Sequence, residues 1–135
     1  GRRSRVVKTG YCTLVDDCYN ANPTSDRAAI DSLASLSGRH VCILGDMLEM
    51  GGNATELHRS VGEYAAAHGV DLVITQGELA KYIAEGAGTA GAHYADRASL
   101  LAALPELLHE GDVVLVKASH GAHFEEISEA VKQLS

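Results

Sequence analysis

Tryptophan is absent from this 135-residue sequence, and phenylalanine occurs only once. A core built mainly on aromatic rings is therefore excluded, and Val, Ile, Leu and Ala must supply most of the buried apolar surface. These aliphatic residues suit packed layers of sheet and helix. The length lies within the usual range of one domain, so we expect a single core.

Positive charge is also scarce, because 11 Lys and Arg residues stand against 18 Asp and Glu, for a formal net charge of -7. The basic residues form one cluster, at Arg2, Arg3, Arg5 and Lys8. An acidic chain repels a phosphate backbone, which argues against a nucleic-acid partner. No apolar run approaches the roughly 20 residues that span a bilayer, and no segment reads as a signal peptide. We therefore expect no membrane insertion and a cytoplasmic location.

Metal-ligand spacing is missing from the three cysteines, Cys12, Cys18 and Cys42. Because Cys12 and Cys42 lie in apolar, strand-like runs, buried reduced thiols are expected. His120 and His123 could in principle ligate a metal ion, but no third ligand is apparent, and we predict no metal site.

Short apolar runs rich in β-branched residues alternate with segments of helical periodicity, a pattern typical of βαβ units. The predicted strands cover residues 5–8, 12–16, 40–44, 71–75, 92–94 and 112–117. The predicted helices cover residues 23–36, 54–68, 78–86, 99–108 and 124–134. The fold class is therefore α/β, with an open, mostly parallel, Rossmann-like sheet, helices on both faces and an N-terminal hairpin.

Ligands of such sheets bind beyond the carboxyl ends of the strands, where the loops 16–24, 45–53, 76–77 and 118–123 are expected. In the first loop, Asp17 could accept hydrogen bonds from ribose hydroxyls, and Asn20 and Asn22 could match an adenine edge. The alternative is that these side chains serve only the turn and the cap of the following helix.

The next polar loops offer similar alternatives. Asp46 and Glu49 could hold a substrate ammonium, or they could satisfy backbone donors within a tight turn. Lys117, Ser119 and the free N–H groups of a helix start could bind a carboxylate or a phosphate. Three motifs are missing: G-x-G-x-x-G after a strand, G-x-x-x-x-G-K-[ST] and G-x-S-x-G. Their absence argues against a nicotinamide or flavin enzyme, a serine hydrolase, and triphosphate activation by this chain alone.

Three segments resemble motifs of the C-terminal domain of the Mur ligase family, and within it of the ligases that add D-alanyl-D-alanine. They are DDCYNANP at 16–23, LGDMLEMG at 44–51 and VKAS at 116–119, in the family's order. Gly1 and Arg2 resemble the junction between the family's central and C-terminal domains. The chain departs from the family pattern at four positions, where Met, Gly, Arg and Met are usual: Asp26, Ala118, His120 and Phe124.

The resemblance implies that residues 1–135 are the C-terminal domain of an ATP-dependent ligase, with an interdomain linker at 1–4. The central ATPase domain and the N-terminal UDP-sugar domain would be its partners and are absent from this chain. The implied substrates are UDP-N-acetylmuramoyl-tripeptide and D-alanyl-D-alanine. The cofactor is ATP, with Mg²⁺ bound mainly by the absent central domain.

The resemblance also implies roles for individual residues. The nucleotide side would comprise Arg2, Asp17, Asn20 and Asn22. The dipeptide side would comprise Asp46, Lys117, Ser119 and His120. No catalytic residue is expected in this domain alone.

Two other functions remain open at this point. A non-catalytic module that binds a nucleotide or a peptide would equally lack a phosphate-binding loop. The related ligase that adds a diamino acid carries a different, arginine-containing substrate motif, which does not occur here.

Overall fold

The computed structural model describes residues 4–48 and 50–135. The strands are β1 (Arg5–Lys8), β2 (Thr13–Asp17), β3 (His40–Leu44), β4 (Leu72–Gln76), β5 (Gly91–Tyr94) and β6 (Val113–Lys117). The α-helices are α1 (Pro23–Ala34), α2 (Ala54–Ala67), α3 (Ala80–Ala87), α4 (Arg97–Leu107) and α5 (Glu125–Lys132). Short 3₁₀ turns occupy Gly51–Asn53, Gly88–Ala90 and His120–Ala122.

The strands form one sheet in the order β1-β2-β6-β3-β4-β5. Strand β1 pairs with β2 in antiparallel fashion, and all other neighbours pair in parallel. The predicted α/β class, with its N-terminal hairpin and mostly parallel sheet, is confirmed. The last strand, β6, lies between β2 and β3, so the carboxyl ends of these three strands meet at one edge.

The core has two halves, one on each face of the sheet. Because successive strand residues point to opposite faces, Val113 and Leu115 of β6 join one half, and Val114 and Val116 join the other. Helices α1, α2 and α3 cover the first face, and α4 and α5 cover the second. The loops after β2 and β3 thus lead to one face, and the loop after β6 leads to the opposite face.

Several element ends differ by one or two residues from the sequence prediction. Helix α4 begins at Arg97 rather than at 99, because the Asp96 side chain accepts a hydrogen bond from the Ser99 amide and caps the helix. Helix α1 ends at Ala34 rather than at 36, where the Ser35 hydroxyl donates to the Ser32 carbonyl at 2.7 Å. Such hydrogen bonds fix the first and last residues of a helix.

All three cysteines are buried free thiols, as predicted. Burial raises the pKa of the Cys18 thiol to about 12, so it stays protonated at neutral pH and is not a reactive nucleophile. Among the described residues, no helix is both long and apolar enough to cross a bilayer.

Candidate functional site

The candidate site lies at the carboxyl edge of the sheet, around the end of β6. Lys117, the last residue of β6, is in register with Asp17 of β2 on one side and Leu44 of β3 on the other. Three polar loops follow these strands and therefore start at the same level. They are the first loop (16–24) after β2, the second loop (45–53) after β3 and the third loop (118–123) after β6. Since they lead to opposite faces, the loops open a crevice where α/β sheets bind their ligands.

The side chain of Lys117 is buried beneath the first loop. Its ammonium donates to Asp17 Oδ2 and to the Asn20 carbonyl, both at 2.7 Å, and it lies 4.0 Å from Asp26 Oδ1. Only 1% of the residue is exposed. Lys117 therefore anchors the first loop to β6, and its predicted contact with a dipeptide carboxylate stays a prediction.

Asp26 is the unusual member of this cluster. It lies in the first turn of α1 and is fully buried, and neither carboxyl oxygen has a hydrogen-bond donor among the described residues. Burial raises the pKa of Asp26 to about 7, although the nearby Lys117 ammonium opposes this shift. The protonated carboxyl group therefore persists to a much higher pH than that of an exposed Asp.

Asp17 and Asn22 differ in the hydrogen bonds that their side-chain oxygens already accept. Asp17 Oδ2 accepts from Lys117 and from the Ser4 hydroxyl, and Oδ1 has no donor among the described residues. Asn22 caps α1, because its side chain accepts from the Ser25 amide at 2.8 Å and the Ser25 hydroxyl contacts its backbone amide. The capping alternative is thus confirmed for Asn22, and the nucleotide roles of Asp17, Asn20 and Asn22 stay predictions.

The second loop is held by a similar cap. Asp46 Oδ1 accepts hydrogen bonds from the amides of Leu79 and Ala80, at 3.0 and 2.7 Å, and so caps the start of α3. Gly77 leaves room for this carboxylate, because a Cβ atom there would collide with it. The predicted role of Asp46 in binding a substrate ammonium is not tested by these contacts. Glu49 lies outside the described residues.

The second and third loops are tied together at Ser119. Its hydroxyl accepts from the Leu48 amide at 3.0 Å, and its own amide donates to the Asp46 carbonyl at 3.3 Å. The amide of Met47, the residue before Leu48, donates to Nε2 of His58 in α2 at 2.9 Å. Sequence reasoning missed His58, whose only signal was a histidine on the apolar side of a predicted helix.

The third loop carries an aromatic pair and a basic support. The rings of Tyr19 and His120 are stacked, with centroids 6.2 Å apart. Arg97 of α4 donates to the carbonyls of Ala122 and His123, at 2.8 and 3.1 Å, and so fixes the end of the 3₁₀ turn His120–Ala122. Over residues 4–48 and 50–135, no group of three His, Cys, Asp or Glu side chains could hold a metal ion.

Two cavities flank the first loop. One, of about 590 Å³, is formed by all three loops, through residues 19–22, Leu48, Met50 and residues 119–121. The other, of about 530 Å³, lies between the first two strands and α1, with Asp17 in its wall. The structure thus brings Asn20, Asn22, Ser119 and His120 together around the first cavity. Arg2 lies outside the described residues, and Asp46 and Lys117 do not line either cavity.

A family model described as "Mur ligase, glutamate ligase domain" matches residues 1–120. The chain is 38% identical over 135 residues to UDP-N-acetylmuramoyl-tripeptide--D-alanyl-D-alanine ligase of Bacillus subtilis (strain 168), covering 94% of the chain and 30% of the relative. The Escherichia coli (strain K12) protein of the same name is 39% identical over 122 residues, covering 89% of the chain and 27% of the relative.

Solved structures show the same likeness. MurF from Acinetobacter baumannii superposes with a TM-score of 0.87 at 28% identity, over 96% of this chain and 30% of that one. The MurF ligase of Thermotoga maritima in complex with ADP superposes with a TM-score of 0.83 at 27% identity, over 95% of this chain and 30% of that one. The chain therefore spans less than a third of the length of each of these four relatives.

Proposed function

Because this chain belongs to the Mur ligase family, we propose that it forms the C-terminal domain of an ATP-dependent ligase that joins D-alanyl-D-alanine to UDP-N-acetylmuramoyl-tripeptide. Residues 1–135 would be this domain and 1–4 its linker, with a central ATPase domain and an N-terminal UDP-sugar domain as partners. The reaction would supply a peptidoglycan precursor in the cytoplasm. The chain's coverage of about 30% of its relatives agrees with this division of labour.

One observation supports this proposal above the others. The three segments that resemble family motifs are far apart in the sequence, and they converge on a single 590 Å³ cavity at the carboxyl edge of the sheet. A cavity of this size suits a small peptide rather than a macromolecule. Its walls combine carboxamide, hydroxyl and imidazole groups with the apolar side chains of Leu48 and Met50.

We assign the nucleotide to the Asp17 side of the first loop. Asp17 Oδ1 has no donor among the described residues and could accept from ribose hydroxyls, while Lys117 fixes the position of Oδ2. Asn20 and Asn22 would contact the adenine, Asn22 through the amide group that remains beside its capping oxygen. Arg2 would meet the ribose or a phosphate, an assignment that rests on the sequence alone.

We assign the dipeptide to the part of the 590 Å³ cavity that Ser119 and His120 line, and the part lined by Asn20 and Asn22 to the adenine. The Ser119 hydroxyl accepts from Leu48 and can still donate its own hydrogen to a carboxylate, and the exposed His120 could donate beside it. Asp46 would attract the dipeptide ammonium by its charge. Lys117 does not line this cavity, so it would act on the dipeptide carboxylate by its charge, from beneath the first loop.

In the proposed reaction ATP transfers its γ-phosphoryl group to the tripeptide carboxylate and ADP leaves. The dipeptide amine then attacks the acyl phosphate, and the amide forms with release of phosphate and a proton. This chain would orient the amine and exclude water, because an acyl phosphate hydrolyses readily in an open site. It would supply no catalytic group of its own. The Mg²⁺ ion would be held mainly by the central domain.

A fusion protein tests this function. The matching C-terminal 30% of the Bacillus subtilis ligase is replaced by this chain, and phosphate release is measured with ATP, UDP-tripeptide and D-alanyl-D-alanine. We expect release that requires both substrates, and none from the relative truncated before this segment. Asp17→Asn should raise the KM for ATP about tenfold, because one hydrogen bond to a charged group is lost. The exposed control Glu106→Gln should leave the KM for ATP and the KM for D-alanyl-D-alanine unchanged.

The rival function predicts a different result. If the fusion were folded but inert, while the isolated chain bound a nucleotide or a peptide tightly, the chain would be a binding module and the proposed ligase role would be wrong. Calorimetric titration of the isolated chain with ADP and with D-alanyl-D-alanine provides this measurement.

A further inference from the structure

Two consecutive backbone amides in the second loop are held by side chains from opposite faces of the sheet. The Met47 amide donates to His58 Nε2 in α2, and the Leu48 amide donates to Ser119 Oγ in the third loop. Because α2 covers one face and the segment after β6 leads to the other, two successive peptides, Asp46–Met47 and Met47–Leu48, are held from two different layers. Peptide planarity then leaves this segment little freedom to rotate.

The geometry of His58 specifies its protonation state. The residue is fully buried, and Nδ1 lies 2.7 Å from the Ala54 carbonyl oxygen, which can only accept. Nδ1 must therefore carry the hydrogen, and Nε2 is left as the acceptor that the Met47 amide requires. A neutral imidazole of this single tautomer satisfies both neighbours, and an apolar side chain of the same size would satisfy neither.

The clamp also controls the wall of the 590 Å³ cavity. Leu48 and Ser119 both line this cavity, and Leu48 is 43% exposed there. If the Met47 amide lost its acceptor, this buried N–H would turn toward another partner and carry the Leu48 amide away from Ser119. The Ser119 hydroxyl would then lose the donor that sets its direction.

From these contacts we infer that His58 is the positioning residue of this cavity. It sets the direction of Leu48 and of the Ser119 hydroxyl from a helix that does not line the cavity, and so sets the affinity for the amine substrate. The identity of that substrate rests on the proposed function, and the control of the loop by His58 does not.

Amide hydrogen exchange of the 135-residue chain tests the loop directly, without a ligand. We compare His58→Phe, which keeps a ring but removes the acceptor, with His58→Gln, which keeps both an acceptor and a donor. The matched control is His68→Phe, because His68 makes the same contact with the carbonyl four residues earlier, at 2.8 Å, but none with the loop.

In His58→Phe the amides of Met47 and Leu48 should exchange about tenfold faster than in the unchanged chain, relative to the amides of β3. His58→Gln should stay within about threefold of the unchanged chain by the same reasoning, and His68→Phe should not alter this loop. Unchanged exchange in His58→Phe, or equal losses in Gln and Phe, would overturn the inference. Thermal unfolding identifies any variant that fails to fold. If His58→Phe fails to fold, His58→Gln decides, because amide exchange more than about threefold faster in that variant would overturn the inference.

Kinetics of the fusion protein separate a positioning role from a general structural one. His58→Phe should raise the KM for D-alanyl-D-alanine about tenfold and leave the KM for ATP unchanged, and His58→Gln should restore most of the loss. Equal changes in both KM values would mean that His58 merely stabilises the fold. If the unmodified fusion is inactive, the ligase proposal fails, and hydrogen exchange alone decides the role of His58.

Discussion

Replacing Asp26 with Asn tests how much an isolated buried carboxyl group destabilises this fold. Asp26 is fully buried, its carboxyl oxygens lack donors among the described residues, and the Lys117 ammonium lies 4.0 Å away. That ammonium already donates to Asp17 and Asn20, so it neutralises Asp26 only in part. Asn has nearly the same shape and no charge, so the substitution removes the ionisation and leaves the packing.

The pKa of Asp26 gives both the sign and the size of the effect. Its pKa rises from 3.8 to about 7 on folding. Well below pH 3.8 the carboxyl group is protonated in both states, so its ionisation does not change the free energy of unfolding. As the pH rises from 3.8, the unfolded chain ionises first, and the free energy of unfolding falls until the pH passes about 7. The full loss is about 4 kcal/mol, and more than half of it falls between pH 5 and pH 8.

Urea unfolding of the two proteins at half-unit steps from pH 5 to pH 8.5 measures this difference. The free energy of unfolding of Asp26→Asn, minus that of the unchanged chain, should increase by about 2–3 kcal/mol across this range. A constant offset of either sign is expected as well, because the buried amide brings two donors of its own.

Glu106→Gln is the matched control, because Glu106 is an exposed helical carboxylate. Its stability difference should stay flat with pH. The reasoning about Asp26 would be refuted if its own difference were equally flat, since a constant difference means that Asp26 ionises normally in the folded protein.

Two further predictions concern stability. Lys117→Met should lower the free energy of unfolding by about 3–5 kcal/mol, measured in urea at pH 8, because it leaves the buried Asp26 and the partly buried Asp17 without their ammonium. A loss below about 1 kcal/mol would show that this pair is no more than a surface ion pair. Gly62→Ala should cost about 2–3 kcal/mol by thermal unfolding, because its Cβ would collide with the Ile83 carbonyl where α2 crosses α3. Gly52→Ala, which meets nothing, is the control, and equal losses in the two variants would contradict this explanation.

The central strands β3, β4 and β6 were predictable from the sequence because each is a largely apolar run. Strand β6 is buried at every position, and its five residues read Val-Val-Leu-Val-Lys. The exact ends of the helices were not predictable to the residue, because they depend on individual capping hydrogen bonds such as that of Asp96. The position of β6 between β2 and β3 depends on pairing between segments about 100 residues apart, which no local pattern encodes.

The candidate site was predictable in its location but not in its connections. The sequence left two roles open for Asn22 and Asp46, and the structure shows that both side chains cap helices. For Asn22 the partner is three residues away, whereas for Asp46 it is 33 and 34 residues away. Only the folded chain therefore reveals that Asp46 fixes α3. A still larger separation, of 100 residues, concealed the bond between Lys117 and Asp17.

The segment 117–119 links the two proposed halves of the site. Lys117 holds the first loop through Asp17 and Asn20, and Ser119 holds the second loop through Leu48. Because β6 is the last of the six strands and lies between β2 and β3, both loops are held by a segment that follows them in the sequence. The proposed nucleotide side and the proposed dipeptide side would therefore share one strand end, which contacts both loops.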